Sequence, residues 1–210
     1  MPAGGYLIPD PCWQAWRPAE VARRLQDVTA PWCVAAGWAL DLFRGEQTRE
    51  HEDTEVGVPD TVDAFGQVRS ALADFEFEAA GSGHLWPLGA AALAATHQTW
   101  VSEPAPTRPD ERSGRIYRLD VFREPHDGDH WICRRDETIR LPYTDVIRYT
   151  AGSIPYLAPE LVLLFKAKHV RPKDQADFDG SLPHMTRRQR ETLAGLLARV
   201  HPGHPWLAAL

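Results

Sequence analysis

No CxxC pair occurs in this chain of 210 residues, and its three cysteines, Cys12, Cys33 and Cys133, are odd in number and widely spaced. That argues against a disulfide framework and fits a reducing compartment. Basic side chains are in the minority: 23 Lys and Arg stand against 29 Asp and Glu, a formal charge of -6. A broad nucleic-acid surface needs a basic stripe, so none is expected, although a local basic pocket for phosphates stays open. No segment approaches the roughly 18 uninterrupted apolar residues of a membrane-spanning helix. The start, Met1-Pro2-Ala3-Gly4-Gly5, has no basic region followed by an apolar run, so no signal peptide is expected. A cytoplasmic protein without membrane contact is the resulting expectation. No internal repeat or low-complexity tract is present.

What the chain does carry is alternating strand and helix patterning, then helices alone. Pro18 to Val28 reads as a first helix, with Val21, Leu25 and Val28 on one stripe. Trp32 to Ala36 is a short strand candidate, and Trp38 to Phe43 one or two helical turns. Asp53 to Val58 alternates with period two and predicts a strand. Thr61 to Asp74 predicts a helix; Phe75 to Ala79 and His97 to Glu103 predict strands. Pro104 to Ser113 reads as an exposed loop. Arg115 to Arg123 is a further strand, followed by a hairpin turn at Asp127-Gly128 and a return over His130 to Arg134. From about Gly152 the pattern is helical: Ala158 to His169, Pro172 to Gly180, and Thr186 to Val200, the last opened by a Thr186/Gln189 capping box. The order predicts an α+β fold, a mixed β-sheet flanked by helices, with residues 1–152 as one domain and 153–210 as a C-terminal helical subdomain.

Two acids stand out on the predicted strands. Asp53 and Glu55 are two residues apart, so both side chains project from one face. Side by side they repel unless a cation is shared. Mg²⁺ takes oxygen ligands and binds one or two carboxylates together with substrate phosphates. Asp120, between the apolar Leu119 and Val121, is the candidate third carboxylate. The competing reading is solvated acids on a sheet edge, because D-x-E alone is common.

The surrounding segment decides between them. Trp32-Cys33-Val34-Ala35-Ala36-Gly37-Trp38-Ala39, a short helix, then Thr48-Arg49-Glu50-His51-Glu52-Asp53-Thr54-Glu55 resembles the aminoglycoside 2''-nucleotidyltransferase-like branch of the DNA polymerase beta nucleotidyltransferase superfamily. In that branch a strand ends in Gly-Gly-Trp-Ala and is followed by Thr-Arg-x-His-x-Asp-x-Asp/Glu. Weaker similarity to a bacterial subgroup continues through Pro155 to Glu160 and Lys166 to Phe178. The resemblance implies a nucleotidyltransferase fold and transfer of a nucleoside monophosphate from a nucleoside triphosphate, ATP foremost, to a small-molecule hydroxyl. It implies two Mg²⁺ ions on Asp53, Glu55 and Asp120, Asp120 also serving as base, and Gly37 as the glycine beside the triphosphate. Trp38, Arg49 and Lys166 are further candidates for nucleotide contact, Arg49 having a structural ion pair as its alternative. Two departures stand in the motif: Ala36 replaces a glycine, and Glu55 an aspartate. They motivate a second reading, a non-catalytic nucleotide-binding protein that keeps the fold. A third, a toxin-like tRNA nucleotidyltransferase, requires a basic groove that the net charge disfavours.

Elsewhere the residues read as structural. His126, His130 and Cys133 lack the fourth ligand of a zinc site. Lys168 reads as a helix-end charge, Trp86 and Trp100 as sheet-face residues, and Lys173, Asp174 and Asp177 as local ion pairs. Glu103, Asp110 and Glu111 are loop acids that a cationic acceptor could meet.

Overall fold

The structure is a computed structural model that describes residues 3–7, 10–104 and 115–210. The chain opens with two short strands, β1 (Tyr6–Leu7) and β2 (Cys12–Trp13), and helix α1 (Pro18–Arg24). The predicted helix runs four residues further than the observed one. The chain turns after Leu25 so that Gln67 Oε1 can accept from Thr29 N (2.8 Å) and Ala30 N (3.0 Å), just before Pro31. Leu25 and Val28 still reach the core from that turn, so the apolar stripe was correctly placed although its end was not helical.

Strand β3 (Cys33–Val34) leads into α2 (Ala36–Arg44), and β4 (Glu55–Pro59) into α3 (Val62–Ala71), where Thr61 caps Ala64 N at 2.9 Å. Then come β5 (Glu76–Gly81), β6 (His84–Pro87), α4 (Ala90–Ala95), β7 (Gln98–Ser102) and β8 (Ile116–Glu124). The loop predicted over Pro104 to Ser113 lies outside the described residues except for its first residue. A small sheet follows: β9 (His126–Asp127), β10 (His130–Ile132) and β11 (Arg140–Pro142), with Gly128 at φ 58° in the expected hairpin turn. After α5 (Tyr143–Val146), strands β12 (Ile147–Tyr149) and β13 (Pro155–Leu157) precede the closing helices α6 (Pro159–Lys166), α7 (Pro172–Ser181) and α8 (Arg187–Val200).

The larger sheet is mixed and flanked by helices, an α+β arrangement. Among the described residues its order is β1-β6-β5-β7-β8-β4-β3-β13-β12, with β2 beside the start of β8. Strand β13 comes from beyond the expected boundary at 152 and pairs with β3, so the sheet draws on both parts of the chain. Strands β4 and β8 lie parallel at its centre, with Val56, Val58, Leu119 and Val121 buried. Because β2 occupies the first residues of β8 and β4 the later ones, β4 begins at the level of Asp120. Thr54, fully buried, fixes that junction: its hydroxyl donates to Trp16 O (2.6 Å) and its carbonyl accepts from Asp120 N (2.9 Å).

Helices α6 and α8 pack on each other, and α6 also packs on α2. The tail is drawn in by Trp206, whose ring stacks on Phe178 at 4.3 Å and whose Nε1 donates to Gln175 Oε1 at 2.7 Å. Among the described residues no helix is long and apolar enough to cross a membrane.

Candidate active site

The parallel register of β4 and β8 sets Glu55 directly opposite Asp120. Asp53 stands two residues earlier, before the strand begins. The alternation of buried and partly buried residues nevertheless already runs from Asp53, so Asp53 and Glu55 share a face. Asp120 is 1 % exposed. Its Oδ2 accepts from Gln98 Nε2 on β7, whereas Oδ1 makes no hydrogen bond of normal length among the described residues, the Trp100 side chain on β7 only weakly lowering the carboxyl. A buried carboxylate oxygen left without a partner costs stability unless a ligand answers it. Burial and the charge of Glu55, with a smaller push from Asp53, raise the Asp120 carboxyl well above its ordinary range. Glu55 is pushed up to about 7, first by burial and then by Asp53, against the pull of Lys166, Arg134 and Arg171. These are acids arranged to share positive charge. Among the described residues no three His, Cys, Asp or Glu side chains close into a ready metal cage. The fit to Mg²⁺ therefore rests on the orphaned oxygen and the mutual repulsion, with phosphate oxygens completing the donor set.

Beside the acids the chain passes through a strained turn. Ala35 N donates to Glu55 O at 2.8 Å, and Ala36 then takes φ 50°, a left-handed conformation that costs a residue with a Cβ about 1–2 kcal/mol. This is the position where the resembled motif has glycine. Gly37 is required by contact: a Cβ there would lie 2.5 Å from Arg49 Nη2 and from His51 Cε1 and Nδ1. Asp41, buried one turn further along α2, gathers the following loop. It accepts from Thr48 Oγ1 (2.7 Å) and from His51 Nε2 (2.5 Å), while the His51 ring lies on Trp38 with 4.5 Å between centroids. Helix α2 thus positions the loop that ends in Asp53.

Arg49 borders one lobe of the cleft together with Asp53 but forms no ion pair with it among the described residues. Its Nε and Nη2 donate to the two oxygens of Asp177 on α7, both at 3.1 Å, which is the structural ion pair weighed as its alternative. Lys166 is also engaged, 2.9 Å from Asp177 and 3.1 Å from Asp174, and Arg171 binds Asp174 at 2.6 Å. Burial would raise both acids, but hydrogen bonds from Arg171 and Lys166 bring Asp174 down to about 2, and those from Arg49 and Lys166 lower Asp177. Asp174 and Asp177 are thus the ion-pair formers that the sequence pointed to; Lys173 instead lines the cleft.

The cleft has two lobes that share Ala35, Ala36, Glu55, Lys166 and Arg171. One, of about 350 Å³, is bordered by Gly37, Trp38, Arg49 and Asp53. The other, of about 430 Å³, runs along Phe122 and Glu124 of β8 and is bordered by Arg134, Arg135 and Lys168. Sequence reasoning missed Gln98, Arg134, Arg135 and Arg171. No spacing links them to the acids; Arg171 lies in the segment of weaker family similarity, and nothing in the sequence singled out the others. Glu103 is engaged by Arg118 (Nε to Oε1, 3.1 Å), while Asp110 and Glu111 lie outside the described residues. His130 bonds Asp129 and Cys133 is a buried free thiol.

The fold is an α+β one of the nucleotidyltransferase type. Residues 19–83 are similar to the family described as Aminoglycoside-2''-adenylyltransferase. Its fold is similar to that of the lincosamide antibiotic adenylyltransferase LnuA in its lincomycin-bound form, at 16 % identity and a TM-score of 0.53, covering 80 % of this chain and 95 % of that one. It is similar also to ANT(2'')-Ia in complex with adenylyl-2''-tobramycin, at 13 % identity and a TM-score of 0.54, covering 86 % and 95 %. A solution structure of the antibiotic-resistance factor ANT(2'')-Ia aligns at 14 % identity and a TM-score of 0.53, covering 86 % and 89 %. No curated protein sequence matches the chain.

Proposed function

We propose that this protein transfers a nucleoside monophosphate from a nucleoside triphosphate, ATP foremost, to a hydroxyl of a small molecule. The carrying observation is the pairing of Glu55 with Asp120 across β4 and β8, Asp120 keeping one buried oxygen without a partner. Asp53, Glu55 and Asp120 would hold Mg²⁺, which when bound neutralises phosphate charge and steadies the attacking and leaving oxygens. The acceptor oxygen attacks the α-phosphorus, the bond from that phosphorus to the bridging oxygen breaks, and pyrophosphate leaves with the electron pair. Asp120 takes the hydroxyl proton and passes it to solvent. Gly37 and Trp38 border the lobe for the triphosphate tail, and Lys166 and Arg171, common to both lobes, face the phosphates between them. Residues 153–210 act as the helical part that closes this cleft over residues 1–152, with Asp177 clamping Arg49 across the boundary.

Titration calorimetry of ATP, GTP, CTP and UTP with Mg²⁺ tests the proposal. The wild type is expected to bind one of the four in a metal-dependent way and Asp53→Ala to bind none; equal binding by both proteins would remove the proposed site. One observation favours the non-catalytic reading, the strained Ala36 at the phosphate turn. It predicts binding without release of pyrophosphate.

A further inference from the structure

The lobe along Phe122 has a charge of its own. Five cationic side chains border it, Arg134, Arg135, Lys166, Lys168 and Arg171, against three acids, Glu55, Glu124 and Asp174. Two of the acids are already answered: Glu124 by Arg134 at 3.0 Å, Asp174 by Lys166 and Arg171. Glu55 faces the shared part of the cleft. Arg135 and Lys168 are left, and neither has an acidic partner among the described residues. The neighbouring protein body and the charge of Arg134 lower the Arg135 guanidinium although it stays open to solvent, the direction expected of a cation with no acid beside it. The lobe also has an aromatic wall. Arg134 lies over Phe122 and Phe165, 5.2 Å from each ring, and Arg135 over Phe165 at 5.6 Å. A guanidinium laid on a ring keeps its edge N–H groups free for a carboxylate or phosphate.

Phe122 is two residues beyond Asp120 on β8 and shares its face, so this lobe adjoins the proposed base, where an attacking hydroxyl must sit. We infer that it receives the acceptor, and that the acceptor is a hydroxylated small molecule carrying an anionic group, phosphate or carboxylate, on an apolar body. The inference rests on the nucleotidyltransferase reading for the direction of transfer. A polycation such as an aminoglycoside would meet Arg135 and Lys168 with like charge, which disfavours it.

Both residues are exposed, so Arg135→Ala with Lys168→Ala is expected to keep the wild-type melting temperature. With α,β-methylene-ATP and Mg²⁺ saturating, the protein is titrated with phenyl phosphate, mandelate, benzyl alcohol and tobramycin; the first two separate phosphate from carboxylate. The wild type is expected to bind at least one of these anions, and neither benzyl alcohol nor tobramycin. The double variant should bind that anion at least tenfold more weakly and the analogue within twofold. Preferential binding of tobramycin overturns the inference. So does a tenfold loss of analogue affinity in the double variant with anion binding unchanged, which would give the lobe to the triphosphate. The anions are also titrated without nucleotide. Binding there that the double variant loses supports the lobe even if the analogue fails to bind, a failure that would fall on the nucleotidyltransferase reading alone. No anion binding in either condition overturns the inference.

Discussion

Asp120 is held where a carboxylate is least comfortable, buried, facing Glu55 and short of one hydrogen bond. Such residues trade stability for chemistry. Asp120→Asn removes the charge and keeps an oxygen for Gln98. At pH 8 it is expected to raise the melting temperature by roughly 2–4 °C, about 1 kcal/mol for a chain of this size, while nucleotidyl transfer falls by about 10²–10⁴-fold. Thermal melting and pyrophosphate release measure the two, and a variant that loses both stability and activity would contradict the trade. Ala36 is the second residue-scale case. Its φ of 50° strains a Cβ, so Ala36→Gly relieves about 1–2 kcal/mol, offset by the ~0.5–1 kcal/mol that glycine loses in backbone entropy. A net gain of up to about 1 kcal/mol in chemical denaturation is expected, and a loss would mean that the turn is not left-handed in solution.

At the scale of elements, Lys166 joins α6 to α7 through Asp174 and Asp177, Arg171 binds Asp174 at the start of α7, and Arg49 joins the loop before Asp53 to α7 through Asp177. Asp174 falls from 3.8 to about 2 in the fold and Asp177 is lowered as well. A carboxyl depressed by folding contributes stability above its unfolded value, and that contribution is lost as pH falls through the folded value. The contribution therefore disappears between about pH 4 and pH 2. Glu55, raised from 4.5 to about 7, acts in the opposite sense: its contribution to the metal-free fold is lost as pH rises between those values. Lys166→Ala leaves two buried acids with one cationic partner each. It is expected to cost about 2 kcal/mol, below the 3–5 of a fully broken buried pair. Melting curves from pH 2 to pH 8 should show the difference from wild type shrinking below pH 4; a constant difference would mean that Lys166 acts through packing alone.

For the whole molecule, the last turn is part of the core. Trp206 is 3 % exposed and stacked on Phe178, which ties the end of the chain to α7 and so to the Arg49 ion pair. Trp206→Ala is expected to cost about 3–5 kcal/mol, and nucleotide affinity should fall with stability because α7 carries Asp174 and Asp177. Calorimetric unfolding with nucleotide titration checks this; full stability with weakened binding would place Trp206 at the site itself.

The sequence by itself determined what depends on spacing along one element. Alternation put Asp53 and Glu55 on one face, the apolar stripes placed α3, α6 and α8, and Thr186 with Gln189 marked the cap of α8. Local chemistry is enough there, because periodicity and capping are set within a few residues. Tertiary structure alone decided what depends on register and on partners far apart in the chain. The β4–β8 ladder set Asp120 against Glu55, folding turned Arg49 to Asp177 across 128 positions, and the end of α1 was fixed by Gln67. The short strands β12 and β13 hold through their ladder bonds, and no propensity in three residues announces such a strand, whereas β3 falls within the strand expected over Trp32 to Ala36. The charge of the second lobe belongs to the same kind: Arg135 and Lys168 lie in separate parts of the chain, and only the packing of α6 beside the β10 hairpin makes them one surface.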